Sequence, residues 1–375
     1  MSIRKRGTSW EVRYRDGSGK APSKSFKKKS DALAFEARVK IDLQSGNYLD
    51  QAHGKITLSD LFDEYMGAKR NLKPKSSESI HSFWRFQINP FLGHMQIQKV
   101  TKQILQKWAL DAVDPETGFT TAIRILKAIE ELSRILDFAV DSGYLQKNVL
   151  RKSNGKLIKF GIEKPRQKHF ALAFNPQQLN EIAKYHGENS TIFWTMALCG
   201  LRWGEVAGLQ VQDISQDGSR ITVCRSISEV CGDFHQQPTK NNLSRTIPVP
   251  ERLRDSLLLH CIGKKSTELV FSNKNGNPIS ISNYRNRVYL PALEKSGIER
   301  RRIHDLRATC VSLLISQGIT NILIISRMVG HSDSAVTLRH YAHLFPEDWN
   351  EVSAALDSVM NPIDLELDFS EVMVS

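Results

Sequence analysis

The chain has 375 residues, 40% hydrophobic and 25% charged, enough for two or three domains that bury cores without staples. Its 52 Lys and Arg exceed 40 Asp and Glu, a net charge of +12 with a pI near 9.4, which is the electrostatic footprint of a protein that meets a polyanion. Five scattered cysteines argue against a disulfide scaffold or zinc site, and no apolar run approaches the ~18 residues of a membrane span, so the reading is a soluble intracellular protein.

The charge is uneven. Residues 1–50 carry 12 Lys/Arg against 6 Asp/Glu, whereas residues 347–375 carry 8 Asp/Glu and no Lys or Arg. Residues 2–28 alternate apolar and polar side chains (Trp10, Val12 and Tyr14 against Glu11, Arg13 and Arg15) around a D-G-S-G turn signal at 16–19. Ser30 and Asp31 read as the cap of a helix with Leu33, Phe35, Ala37 and residues 39–43 as its apolar side chains. The expectation for 1–50 is a small three-stranded sheet on one helix, with Arg13, Arg15, Lys24 and Lys27 on the sheet's polar face.

A polar, turn-rich stretch at 46–55 precedes helical text at 58–65, 76–88, 101–110 and 119–140, punctuated by N-P at 89–90, D-P at 114–115 and D-S-G at 141–143. Four helices with short loops predict an all-α domain over 56–148. Lys69, Arg70, Lys73, Lys75 and Arg85 form a group of candidate phosphate contacts there. Residues 149–169 are basic and read as an interdomain linker.

From 170 to 346 the pattern predicts a mainly α domain with a small antiparallel sheet. N-P at 175–176 starts a helix, and 191–201 is a buried apolar helix ending near Gly200. Residues 211–214, 220–227 and 244–249 read as strands. His304 and Arg307 stand three apart in an apolar-periodic run, so a helix puts both on one side. A second helical run, 322–329, ends at Gly330, a C-cap glycine, and His331 follows it. Tyr341 comes ten residues later, beside His340 and His343. After 346, Trp349, Val352, Leu356 and Val359 fall at helical spacing, followed by an acidic end, so 347–375 is expected to hold a C-terminal helix and an acidic tail. An Arg, two His and a Tyr can grip a phosphate and attack it.

These residues resemble the catalytic signature of the tyrosine recombinases of phage-integrase type: H-x-x-R at 304–307, V-G-H at 329–331 where the family usually has L-G-H, and a following Tyr. A-L-C-G-L-R-W-G-E at 197–205 resembles the family's upstream arginine box. The spacing from His331 to Tyr341 is one residue longer than in many members. The resemblance covers most of the chain and is most specific in the catalytic domain. It implies a multidomain α+β protein: an arm-type DNA-binding domain, a helical core-binding domain, a linker, a catalytic domain and a C-terminal helix with an acidic tail.

It also implies roles. A phosphodiester's oxygens repel a nucleophile and gain charge in the transition state, so fixed cations are needed around them. Arg202 and Arg307 match the family's two arginines, whose planar forks donate to two oxygens at once. His304 and His331 match its two further positions, and Lys240, in Q-P-T-K-N-N, resembles the hairpin lysine that protonates the leaving 5′-oxygen. Tyr341 matches the nucleophile, a phenol that needs neighbouring positive charge because its free pKa is about 10. Glu205 is assigned to structure, orienting Arg202 or a neighbour. No carboxylate cluster suits magnesium, and the resemblance implies metal- and ATP-independent chemistry without a cofactor. The implied partners are duplex DNA at core and arm attachment sites, a homotetramer on that DNA, an excisionase and a host DNA-bending protein. The setting is the nucleoid in the cytoplasm of a bacterial host. Two alternatives are a type IB topoisomerase, for which an arm domain is unnecessary, and a catalytically silent DNA-binding regulator.

Overall fold

The computed structural model describes residues 1–14, 21–44, 55–114, 116–163, 173–239, 244–331 and 333–341. The turn at 16–19, the segment 347–375, His343 and the site residues Arg15 and Lys240 lie outside the described residues. The chain divides into two units, 1–167 and 168–375.

The first unit opens with β1 (Ser2–Arg6), β2 (Ser9–Arg13) and β3 (Ser23–Phe26), an antiparallel sheet in the order β1-β2-β3, followed by α1 (Lys29–Gln44). Val12, Tyr14, Ala32 and Val39 form its small core. Side chains alternate across a strand, so register decides which basic residues face outward. Val12 pairs with Ile3 and Lys24, and Trp10 with Lys5 and Phe26, which puts all six on the helix side. The expectation that Lys24 shares a face with Arg13 is therefore corrected: the Lys24 ammonium lies 4.9 Å from the centre of the Phe35 ring and 5.8 Å from that of Phe26. Arg4, Arg6, Glu11 and Arg13 occupy the opposite face. Lys27 is exposed beyond the end of β3.

The helical part comprises α2 (Leu58–Ala68), α3 (Pro74–Phe83), α4 (Asn89–Leu92), α5 (Lys102–Asp111) and α6 (Ala122–Asp141). Thr57, Thr101 and Thr121 cap three of these helices, and Asp60 reciprocates at Thr57. α6 runs through the core with Ile125, Ile129, Leu132 and Leu136 buried. The N-P pair at 89–90 does not end the helical path. A π turn, Trp84–Ile88, joins α3 to α4, and Pro90 falls in the new first turn, where its missing N–H is not needed. Leu150 and Ile162 also sit in this core, and the Asn148 amide donates to Ser133 O at 2.8 Å and Asp137 Oδ1 at 2.8 Å. The helical core thus reaches well past 148, into residues expected to be linker. Arg70, Lys73, Lys75 and Arg85 are exposed, while the Lys69 ammonium donates to the Tyr65 hydroxyl.

The second unit contains α7 (Pro176–Ala183), α8 (Ser190–Cys199), α9 (Trp203–Ala207), β4 (Arg220–Val223), β5 (Arg225–Val230), β6 (Asp233–Pro238), β7 (Arg245–Pro248), α10 (Glu251–Leu259), α11 (Ile281–Tyr284), α12 (Leu290–Lys295), α13 (Ile303–Ser316), α14 (Ile322–Val329) and α15 (Ser334–Tyr341). Two strand expectations change, and one strand appears that was not expected. Residues 211–213 form a 3-10 turn, because the Asp213 carboxylate turns back to accept from Gln210 N at 2.9 Å, and Ile214 keeps only an isolated antiparallel bridge to Ile221. The strand expected over 220–227 breaks at Cys224 into β4 and β5, and these pair with β7 and β6 in separate two-stranded ladders. β6 is polar along its length (D-F-H-Q-Q-P) and carries no strand signal in the sequence. The core gathers α8 with α7, α10, α12, the strands and the buried tyrosines Tyr284 and Tyr289.

Candidate active site

Two helix ends build the site. α8 is apolar almost throughout and stops at Gly200, whose φ of 64° is left-handed. A Cβ there would lie 3.1 Å from both Cys310 Sγ and Val329 Cγ1. The stop leaves the Gly200 carbonyl to accept from Arg307 Nη1 at 2.7 Å. α14 ends in the same way at Gly330, φ 69°, and the Gly330 carbonyl accepts from Arg202 Nη2 at 2.9 Å. A Cβ on Gly330 would meet the Arg245 guanidinium at 2.8 Å, so glycine is needed there for backbone and packing alike.

Glu205 joins these pieces. It lies three residues after Arg202 in α9, and its carboxylate accepts from Arg202 N at 2.9 Å and Arg202 Nη1 at 3.0 Å. Arg245, at the start of β7, reaches the same carboxylate with both terminal nitrogens, at 3.0 and 2.7 Å. Its Nε donates to Met328 O at 2.8 Å. Glu205 is only 3% exposed. Burial alone would raise its pKa, yet the hydrogen bonds and charge of Arg245, with the backbone N–H and charge of Arg202, hold it below the usual range. Glu205 is therefore a carboxylate between two guanidiniums.

Arg307, on α13, is buried. Burial first and the charge of Arg202 second pull its pKa down to about 9, which leaves it a cation at neutral pH. Its Nη2 is buried without a hydrogen-bond partner. A buried donor in that condition is costly unless an acceptor arrives. α13 itself is held in place by Thr309, whose hydroxyl donates to Asp305 O at 2.8 Å and accepts from Phe174 N at 2.9 Å.

His304 is exposed at the first turn of α13. Desolvation, then Arg307 and Arg202, lower its pKa; for a ring this open to water the two guanidiniums are the weightier cause. His331 places Nδ1 2.7 Å from the Thr337 hydroxyl on α15. Tyr341, one helical turn after Thr337, is buried with Val311, Ile325 and Val329. Burial raises the Tyr341 pKa, and the charge of Arg307 partly offsets that. The Arg202, Arg245 and Arg307 guanidiniums outnumber the Glu205 and Asp305 carboxylates here, which leaves net positive charge around an unfilled donor and a phenol. That is a place for an anionic phosphoryl group and its attacker.

Two family models match the chain: the phage integrase family over residues 173–348, and the phage integrase N-terminal SAM-like domain over residues 57–110. The chain belongs to the phage-integrase family of tyrosine recombinases. This recombinase is 25% identical to a tyrosine recombinase XerC-like protein of Caldanaerobacter subterraneus subsp. tengcongensis, over 89% of this chain and 91% of that one. It is 23% identical to the ICEBs1 integrase of Bacillus subtilis, over 88% and 90%. Among solved structures, the Tn1549 transposon integrase in complex with a circular intermediate DNA matches with a TM-score of 0.66 at 16% identity, covering 81% of this chain and 99% of that one. A lambda integrase tetramer bound to a Holliday junction matches with a TM-score of 0.57 at 16% identity, covering 90% and 94%. Enzymes of this family cleave and rejoin DNA through a tyrosine intermediate.

Of the recombinase's expected site residues, Arg202, His304, Arg307, His331 and Tyr341 all fall around the ends of α8 and α14. Glu205 bonds both Arg202 and a neighbour, Arg245. Sequence reasoning missed Arg245 and Thr337. Arg245 had one faint signal: it opens a β-strand, followed by the apolar Ile247 and Val249, where a lone Arg reads as a solvated edge residue. Thr337 had one too, since it lies four residues before the matched tyrosine and so on its helix face.

Proposed function

We propose that this chain is a site-specific recombinase that integrates a mobile DNA element, of the phage or prophage type, with Tyr341 as nucleophile. The observation that carries the reading is the buried, unpartnered Nη2 of Arg307 next to Arg202 and Tyr341. A fold that holds a guanidinium nitrogen out of water without an acceptor is preorganised for an anion, and the scissile phosphate supplies one.

The Tyr341 oxygen attacks the phosphorus as its proton passes to the neutral His304 imidazole. The bond from phosphorus to the 5′-oxygen breaks, and a 3′-phosphotyrosyl link remains. Lys240 supplies the proton to the leaving 5′-oxygen. A 5′-hydroxyl from the partner duplex then reverses the step, so rejoining needs no ATP. Arg202 and Arg307 hold the non-bridging oxygens, and His304 and His331 hydrogen-bond around them.

Residues 57–345 would engage core sites, with Lys69, Arg70, Lys73, Lys75 and Arg85 as a phosphate-contacting group. Residues 1–50 would engage arm sites through Arg13, Arg15 and Lys27, without Lys24, which lies on the helix side of the sheet. The working form on DNA is a homotetramer, assisted by an excisionase and a host DNA-bending protein in the bacterial cytoplasm. The relatives support this setting: their names include an integrase of Bacillus subtilis and a probable prophage integrase of Lactococcus lactis.

The test uses a nicked duplex from the attachment region that traps the cleaved strand, run on a denaturing gel. The wild-type chain should form a covalent adduct, and Tyr341→Phe should form none while binding the duplex equally well. An undiminished adduct in Tyr341→Phe would remove Tyr341 as the nucleophile.

A further inference from the structure

Thr337 is a buried polar side chain that the family match leaves without a role. It is fully buried on α15, and its hydroxyl lies 2.7 Å from His331 Nδ1. Among the described residues, no other hydrogen bond is drawn to that hydroxyl. Two other buried threonines, Thr195 and Thr309, donate to the carbonyl four residues back. Thr337 turns instead to a histidine.

We infer that Thr337 is a positioning residue that sets the tautomer of His331 and couples that histidine to the nucleophile's helix. This rests on the function proposed above. The argument is one of donors and acceptors. A neutral imidazole carries its proton on one nitrogen only, and the bond made by the other selects which. If Nδ1 carried the proton, the ring would donate to Thr337, and the buried hydroxyl proton would have no acceptor. If the Thr337 hydroxyl donates to Nδ1, both groups are satisfied and the ring proton sits on Nε2. His331 then presents an N–H that can donate to a phosphate oxygen. It is not a base that draws the proton from Tyr341.

The coupling follows from helix geometry. Thr337 and Tyr341 are four residues apart and lie on one face of α15, both buried. Docking this one helix face therefore brings in the phenol and orients the histidine together. A chain whose α15 is undocked lacks both.

The charged groups around His331 come from three other elements. The Arg202 guanidinium binds the Gly330 carbonyl and Arg245 packs against Gly330, with Glu205 between them. From α13 come Arg307 and His304, whose charges act on Tyr341 and Arg202. Of these, only His304 is an imidazole, its pKa lowered from the ordinary 6.5 by desolvation and by the charges of Arg307 and Arg202, and comparing variant with wild type at each pH cancels its contribution.

The experiment measures single-turnover adduct formation on the nicked duplex from about pH 5.5 to about pH 8.5, spanning the free histidine pKa of about 6.5. The variants are Thr337→Val, which keeps the shape and loses the hydroxyl, and Thr337→Ser, which keeps the hydroxyl. In Thr337→Val the neutral ring is free to take the other tautomer. At low pH the imidazolium carries a proton on Nε2 regardless. The variant should therefore match wild type within about twofold at the acid end and fall about tenfold or more below it at the alkaline end, the cost of one missing transition-state donor. Thr337→Ser should follow wild type throughout. A Thr337→Val loss that is equal at every pH, or no loss at all, overturns the inference. Failure of wild-type chain to form any adduct would instead count against the proposed function, so the two failures are distinct.

Discussion

Glu11 and Glu205 are both nearly buried glutamates flanked by two arginines, yet their surroundings differ in one respect. At Glu11, on the outer face of the small sheet, the Arg6 and Arg13 side chains are 71% and 50% exposed, and their Nε atoms stand 3.5 and 3.4 Å from the carboxylate. At Glu205 the Arg245 side chain is 13% exposed and makes two bonds of 3.0 and 2.7 Å to it. Solvent screens the first pair of contacts and leaves their cations free to exchange partners. The second set is held in low dielectric, where losing a partner strands a charge. The same residue types thus serve as a movable cationic surface in one place and as a fixed frame in the other.

The largest effect should come from breaking that frame. Glu205→Ala leaves the buried Arg245 without its counter-ion and Arg202 without its guide, which should destabilise the chain by roughly 3–5 kcal/mol and abolish adduct formation. Urea denaturation measures the first; a loss under about 1 kcal/mol would show that the cluster is not a frame. Acid should expose the same bond. The Glu205 pKa is depressed below the ordinary 4.5, so its stabilisation is complete above that value and is lost as pH falls through the folded-state pKa. The stability gap between wild type and Glu205→Gln should narrow on acidification from neutrality toward about pH 3. A constant gap would contradict the depressed pKa.

Arg245→Lys is the next largest. One ammonium cannot reproduce a fork to Glu205 together with a bond to Met328 O, so a loss of roughly 1–3 kcal/mol in stability is expected. Adduct formation should drop more than duplex binding does, since Arg245 acts through Glu205 and Gly330. Equal kinetics with lysine would mean that charge alone suffices there.

Much of the catalytic geometry was legible in the sequence because it depends on local signals. Gly200 and Gly330 end apolar helices, and the H-x-x-R pair lies one turn apart. The helical domain was readable from its apolar periodicity and turn punctuation, while the Thr57, Thr101 and Thr121 caps that fix its helix starts came with the structure. What was not legible depends on tertiary register. Lys24 looks like an outward basic residue until the pairing of Val12 with Lys24 turns it toward the helix. Leu150 and Ile162 sit among basic and glycine residues, so only the packed core reveals that they are not linker. Arg245 and Thr337 are far from the motifs or unremarkable within them, and their roles arise from partners that only folding brings close. Asn89-Pro90 misleads for another reason, since a π turn lets a helix path absorb a proline.

The smallest structural effect belongs at the exposed cluster, and it sharpens the comparison from the other side. Arg6→Ala and Arg13→Ala remove screened, solvent-exposed partners of Glu11, so each should move the melting temperature by about 2 °C or less. Their effect should appear in DNA binding instead. If these guanidiniums exchange Glu11 for phosphates, each substitution should lower the slope of log affinity against log salt by about one on duplex from the attachment region. Glu11→Gln should do the reverse of the arginine changes, tightening binding at low salt by removing the competing carboxylate. A large melting shift with an unchanged salt slope would make the Glu11 cluster a second frame and end the distinction drawn between the two glutamates.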